Sequence, residues 1–278
     1  MNAAQATLLV DAGNTRVKFG LATLAGSSAT RSLHTLALAH AELEDLPAWL
    51  AGLACRPAAA LGVNVAGAEL AQRLDALLTQ QCQTPVQWVR SSAAAAGVAN
   101  LYDEPSQLGS DRWVALLGLA SHTPQAALLA SFGTATTIDT LGPHLPKPGS
   151  GAARRFEGGV ILPGPELMLR SLASGTAQLP YAQGAVTPLP RNTHAAIRSG
   201  MAAAQAGAVL RQWRAAMSAL QAVPQLYCTG GGWPLVADEV AAGLARCRND
   251  LGLPPEAPQW LDAPVLDGLA SLAAAQEA

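Results

Sequence analysis

The residues best suited to chemistry sit at tight turns. "DAGNT", residues 11–15, places a carboxylate, a glycine and two short polar side chains after the apolar run "TLLV" and before the alternating run "RVKFGLAT". A second turn, Ser131-Phe132-Gly133-Thr134-Ala135, follows another apolar run 120 residues later and leads into another strand-like stretch. A glycine turn exposes backbone N–H groups with no Cβ in the way, which suits phosphate oxygens. Asn14 and Thr15 add neutral donors, Arg16 and Lys18 put positive charge on one strand face, and Asp11 can hold Mg2+ through water beside phosphates. Taken alone, each turn reads first as a plain hairpin, because Asp and Asn favour turns and Gly accepts positive φ. Recurrence in both halves weakens that reading, and neither a P-loop nor a dinucleotide fingerprint occurs elsewhere. Two such turns facing each other would clamp a nucleotide from both sides.

Elements must position these turns. Strands are expected at 6–12, 16–23 and near 31–38, helices at 41–53 and 67–81, and strands at 59–67 and 85–90. Residues 91–109 read as loop, and "GSDRWVALLGLASH" opens a helix with one apolar stripe of Trp113, Leu116, Leu117 and Ala120. Ser110 or Asp111 is placed to cap that helix. The second half runs strand, turn, strand over 125–142, a Pro/Gly-rich loop at 143–153 read as mobile, and a strand at 154–164. Helices follow at 164–174 and 192–221, then the strand "PQLYCTGG", a helix from about 233 and a last one near 264–276. The chain thus reads as two copies of one β-rich α/β unit, residues 1–123 and 124–278.

The totals bound the function. With 278 residues, half of them hydrophobic and a net charge of -2, the chain can build a large core and has no basic block for nucleic acid or an anionic membrane. Asp11 interrupts the first apolar run, and no stretch is long enough to span a bilayer, so a cytoplasmic protein is expected. Cys55, Cys82, Cys228 and Cys247 form no C-x-x-C pair and are expected to be buried free thiols.

Seven stretches, in order, carry a resemblance across nearly the whole chain: "DAGNTRVKFG", "NLYDEPSQLGSDRW", "FGTATTIDT", "EGGVILPG", "LASGTAQLP", "NTHAAIRSG" and "CTGGGWPLV". The sequence resembles the type III pantothenate kinases, or Bvg accessory factor family, within the actin, sugar kinase and Hsp70 superfamily. The resemblance implies two ribonuclease H-like α/β domains and ATP-dependent phosphorylation of the 4′-hydroxyl of pantothenate, the first committed step toward coenzyme A. It carries Asp11, Ala12, Gly13, Asn14, Thr15, Arg16, Val17 and Lys18, with Gly133 and Thr134, to ATP binding, and Asp11 to Mg2+. Asp111 becomes the base, while Tyr102, Gly109, Ser110 and Arg112 contact pantothenate, Arg112 through its carboxylate. Thr193 contacts pantothenate across a homodimer interface or simply caps its helix. Gly230 and Gly231 fall where adenosine approaches the backbone. Ser131 departs from the family, which commonly has an aspartate associated with K+ or NH4+ there. The alternatives are a nucleotide-binding accessory protein without catalysis, and a superfamily kinase acting on a sugar or acetate.

Overall fold

The computed structural model describes residues 6–25, 28–32, 34–145 and 153–277. Most of the loop expected at 143–153 therefore lies outside the described residues. The chain forms two compact units. Unit 1 comprises Met1–Pro124, Leu145–Phe156 and Ala263–Ala278, and unit 2 comprises Gln125–His144 and Glu157–Asp262. This division differs from a single cut at 123/124, since Arg154–Phe156 and the last helix belong to unit 1.

Unit 1 starts with β1 (Ala6–Ala12), β2 (Arg16–Ala25), β3 (Ser28–Arg31), β4 (Leu36–Ala39), a 3-10 turn (His40–Asp45) and α1 (Leu46–Ala51). It continues with β5 (Ala59–Asn64), α2 (Ala68–Cys82), β6 (Val86–Trp88), β7 (Ala94–Ala95), β8 (Val98–Asn100) and α3 (Ser110–His122). Its sheet runs β3-β2-β1-β5-β6, with β4 also paired to β2. β1 is central and buried at every position but Asp11, which is partly buried, so its apolar run Leu8–Val10 ends at that carboxylate. Leu8, Val10 and Phe19 share a core with Leu70, Leu74 and Leu78, the every-fourth-residue stripe of α2.

Three local expectations shift. The helix expected at 41–53 divides, because Pro47 lacks an N–H and is seated in the first turn of α1. The strand near 31–38 divides into β3, which ends at Arg31, and β4, which starts at Leu36. The loop at 91–109 contains the β7–β8 hairpin, turned by Ala96 and Gly97 at φ 44° and 75°.

Unit 2 holds β9 (Ala127–Phe132), β10 (Ala135–Leu141), most of β11 (Arg154–Pro163), α4 (Pro165–Gly175), α5 (Thr193–Leu220), β12 (Gln225–Thr229), α6 (Ala237–Asp250) and β13 (Gln259–Trp260). A 3-10 turn at Trp233–Leu235 delays α6 beyond the expected start. Its strands lie in the order β11-β10-β9-β12-β13. In both units an antiparallel hairpin is extended on the side of its first strand by two parallel strands. The repeated order is that of a duplicated ribonuclease H-like α/β unit. The first residues of β11, Arg154–Phe156, belong to unit 1 and pair in parallel with β8.

The last helix, α7 (Pro264–Glu277), lies against α3 in unit 1. A Cβ on Gly118 of α3 would land on the Pro264 carbonyl oxygen, and one on Gly268 would land on that of Val114. The two backbones meet because neither glycine has a side chain. Asp267 of α7 accepts from Arg31 Nε at 2.5 Å and pairs with His122 Nε2 at 3.0 Å. As a result α3 is buried continuously from Arg112 to Leu119, rather than along one stripe.

This packing predicts opposite signs for one substitution at two glycines. Gly118→Ala should destabilise the protein by roughly 2 kcal/mol or more through overpacking. Gly207→Ala, in α5 where a Cβ meets open space, should stabilise it by up to about 1 kcal/mol through helix propensity. Equilibrium denaturation of both variants checks the pair.

Candidate active site

β1 delivers Asp11 between Lys18 on β2 and Val63 on β5, its directly paired neighbours. Burial, chiefly, pushes the Asp11 carboxyl up to about 6; Lys18 pulls it down, and the negative charge of Asp111 pushes it further up. Asp11 and Asp111, 100 residues apart, thus act on one another electrostatically. The turn beyond is closed by Gly13 N–H donating to Arg16 O at 3.1 Å. Asn14, Thr15 and Arg16 are exposed, whereas Ala12 and Val17 are core residues whose side chains cannot reach a ligand. Gly13 has no positive φ. Its small size serves the turn differently, since a Cβ there would sit 3.2 Å from Arg16 O.

The second turn is one residue tighter. Ser131 pairs with Thr137 on β10 and with Thr229 on β12, so three hydroxyl side chains stand where Asp11, Lys18 and Val63 stand in unit 1. Gly133 N–H donates to Ala135 O at 3.0 Å, and Gly133 and Thr134 are exposed. The turn is gripped from behind. Gly164 N–H donates to Thr134 O at 2.9 Å and Gly232 N–H donates to Phe132 O at 2.8 Å. A Cβ on Gly164 would land on Gly133 O, and Gly230, at φ +97°, is pressed against the Phe132 backbone. Gly230 therefore serves packing as well as any ligand, while Gly231 faces open space. Trp233 leans on Phe132 with ring centroids 5.6 Å apart.

The helix end at 109–112 is built around a missing side chain. Gly109 is the N-cap of α3, and no side chain caps it, contrary to the expectation for Ser110 or Asp111. The Asp111 carboxylate accepts from the Arg112 backbone N–H at 2.8 Å. A Cβ on Gly109 would lie 2.7 Å from that carboxylate oxygen, so the glycine makes room for Asp111. Arg112 is buried, and its Nη1 donates to the Tyr102 hydroxyl at 2.9 Å. Its guanidinium lies 5.8 Å from the Tyr102 ring centroid and 6.0 Å from that of Phe156. The two rings stack at 5.4 Å.

Asn100 fixes the loop that carries Tyr102. Its side chain accepts from Tyr102 N–H at 3.1 Å and donates to the carbonyls of Ser92 at 3.2 Å and Pro105 at 3.4 Å. Sequence reasoning gave no role to Asn100 or Phe156. The asparagine in "NLY" was the available signal, as a residue able to bridge both backbone donors and acceptors.

Thr193 is in unit 2, at the first turn of α5. Asn192 is the cap, accepting from Ala195 N–H at 2.9 Å, which frees Thr193 from that duty. The exposed threonine lines a cavity of about 710 Å3 with Asn192, Ser171, Leu172, Leu179 and Ile197. Cys82, Cys228 and Cys247 are buried as expected, but Cys55 is exposed. Among the described residues no three His, Cys, Asp or Glu side chains gather as a metal cage. No helix among them is long and apolar enough to cross a membrane.

The Asp11 shift has a measurable consequence. The folded chain keeps the proton between about pH 4 and 6, where the unfolded chain has released it, so this group's contribution to stability is lost as pH rises through that window. Asp11→Asn should remove that slope. The stability difference, variant minus parent, should grow from pH 4 to 6 and then level off in nucleotide-free denaturation experiments. A difference independent of pH would contradict the burial described for Asp11.

The family described as type III pantothenate kinase matches residues 7–215. The type III pantothenate kinase of Bordetella petrii is 47% identical over 270 residues, covering 96% of this chain and 97% of that one. The type III pantothenate kinase of Bordetella bronchiseptica is 44% identical with the same coverage. In structure, a putative 2-dehydro-3-deoxygalactonokinase from Sinorhizobium meliloti aligns over 98% of both chains with TM-score 0.53 at 15% identity. A putative N-acetylmannosamine kinase from Listeria monocytogenes aligns over 98% of this chain and all of its own, with TM-score 0.51 at 13% identity. Those two likenesses establish the shared fold, while the sequence matches span both turns and the Asp111 helix: the chain belongs to the type III pantothenate kinase family.

Proposed function

We propose that the chain transfers the γ-phosphoryl group of ATP to the 4′-hydroxyl of pantothenate, with Asp111 as the base. The kinase activity follows from family membership, and it supplies 4′-phosphopantothenate for coenzyme A biosynthesis. The observation that carries the assignment of roles is the Asp111–Arg112 pair. A carboxylate with space made for it stands beside a buried guanidinium held by Tyr102. Arg112 takes the pantothenate carboxylate in a charge-assisted bond, with Tyr102 beside it. Gly109 and Ser110 complete the acceptor side, and Asp111 receives the hydroxyl proton. In a loose phosphoryl-transfer transition state that proton leaves late, so alignment counts for more than basicity.

Asn14 and Thr15 of the first turn, and Gly133 and Thr134 of the second, bind ATP phosphates. Lys18 and Arg16 add positive charge at the first. Asp11 fits Mg2+ held through water, because its carboxylate, costly to ionise beside the negative charge of Asp111, would be stabilised by a bound cation. Bound there, the ion would neutralise charge on the β- and γ-phosphates. Potassium or ammonium would be held near Ser131 through backbone carbonyls and water, since a serine hydroxyl is a much poorer cation ligand than the family's usual aspartate, or would be needed less here. Thr193 reaches pantothenate bound to a second copy. The exposed Ile161, Leu167, Leu172, Tyr181, Val186 and Leu189 of unit 2 support such a homodimer. The enzyme works in the cytoplasm.

Two outcomes are expected. Asp111→Asn should lower kcat by roughly 100-fold or more while the affinity for a nonhydrolysable ATP analogue stays within about twofold. Parental kcat would remove Asp111 from the base role. Neutral hydroxyls bind K+ weakly, so cation activation should saturate only at high concentration, and Ser131→Asp should lower the concentration needed. A titration of initial rate with KCl in both proteins checks this.

A further inference from the structure

His40 makes a contact that the assigned roles leave unused. Its Nε2 lies 2.9 Å from the Gly13 carbonyl oxygen. A carbonyl can only accept, so Nε2 carries the proton and donates. The imidazole is held in place by its own backbone. Arg73 Nη1 of α2 donates to His40 O at 2.7 Å, and the Glu42 carboxylate accepts from Ala39 N–H at 2.8 Å, capping the 3-10 turn that begins at His40.

The Gly13–Asn14 peptide is planar and trans, so Gly13 C=O and Asn14 N–H point in opposite directions from one rigid unit. Asn14 N–H donates to no backbone acceptor among the described residues, and Asn14 is exposed. A hydrogen bond at the carbonyl end fixes the direction of the N–H end. It also polarises the peptide, because linked hydrogen bonds strengthen one another. Neither Gly13 nor Asn14 has a positive φ to lock this peptide by conformation alone.

We propose that His40 is a positioning residue for ATP: by donating to Gly13 O it aims and strengthens the Asn14 N–H as a phosphate donor. This rests on the reading of residues 13–15 as a phosphate turn. His40 contacts no reacting atom and acts through the peptide.

The test compares parent, His40→Ala, His40→Gln and His40→Asn. The glutamine side-chain amide nitrogen reaches where Nε2 sits, whereas that of asparagine falls one methylene short. His40→Ala should weaken calorimetric binding of the Mg2+ complex of a nonhydrolysable ATP analogue about fivefold, the value of one hydrogen bond. KM for ATP should rise in step, while KM for pantothenate stays within about twofold. His40→Gln should recover most of the loss and His40→Asn little. If the alanine protein does not fold, the difference between the glutamine and asparagine variants decides in its place. Parental ATP affinity in His40→Ala, equal rises in both KM values, or glutamine no better than asparagine would each overturn the proposal. The Asn14 amide resonance tells a failure of the phosphate turn from a failure of His40. If it does not respond to the analogue in the parent, the phosphate-turn reading fails; if it responds equally in parent and His40→Ala, only the role of His40 fails.

Discussion

The close approach of α3 and α7 is the constraint on which the acceptor side depends. Backbone touches backbone at Gly118 and Gly268, and Asp267 ties the outer end through Arg31 and His122. A helix so held cannot slide or tilt. Its N-terminus therefore presents Asp111 and Arg112 at a fixed place, close enough to β1 for Asp111 to act on Asp11. Catalysis that relies on alignment more than on basicity needs this kind of immobile mount. The second requirement is local: Gly109 leaves room for the Asp111 carboxylate, while Tyr102, Phe156 and Asn100 pack Arg112 into one orientation.

The two units share a strand order but differ in charge. In unit 1 the turn is approached by Asp11 paired with Lys18; in unit 2 the same positions hold Ser131 and Thr137, joined by Thr229. One unit keeps a titratable pair, and the other a row of neutral hydroxyls. The support differs as well. The first turn is held by a side chain, His40, and the second by the N–H groups of Gly164 and Gly232. Duplication preserved the sheet and left each turn to find its own anchor.

Much of this was legible in the residues, for definable reasons. Strong periodicity located β1, β2, α2 and α5 to within a few positions, and the glycine turns were visible as breaks between apolar runs. What stayed hidden depended on distant parts of the chain. The burial of α3 on all sides comes from α7, whose own sequence does not say which unit it joins. Residue type alone points to Ser110 or Asp111 as the cap of α3, whereas Gly109 takes the place because Asp111 needs the space. Ala12 and Val17 lie beside exposed turn residues in sequence yet point into the core, since strand neighbours alternate. His40 is 27 residues from Gly13, and no local pattern connects them.

The central claim is that this chain phosphorylates pantothenate, and the product tests it most directly. Purified protein incubated with ATP, Mg2+, K+ and pantothenate should form 4′-phosphopantothenate and ADP in equal amounts, read by mass spectrometry and phosphorus NMR. ADP formed without phosphopantothenate, or phosphate appearing on a sugar or acetate from a mixed substrate panel while pantothenate is untouched, would contradict the account.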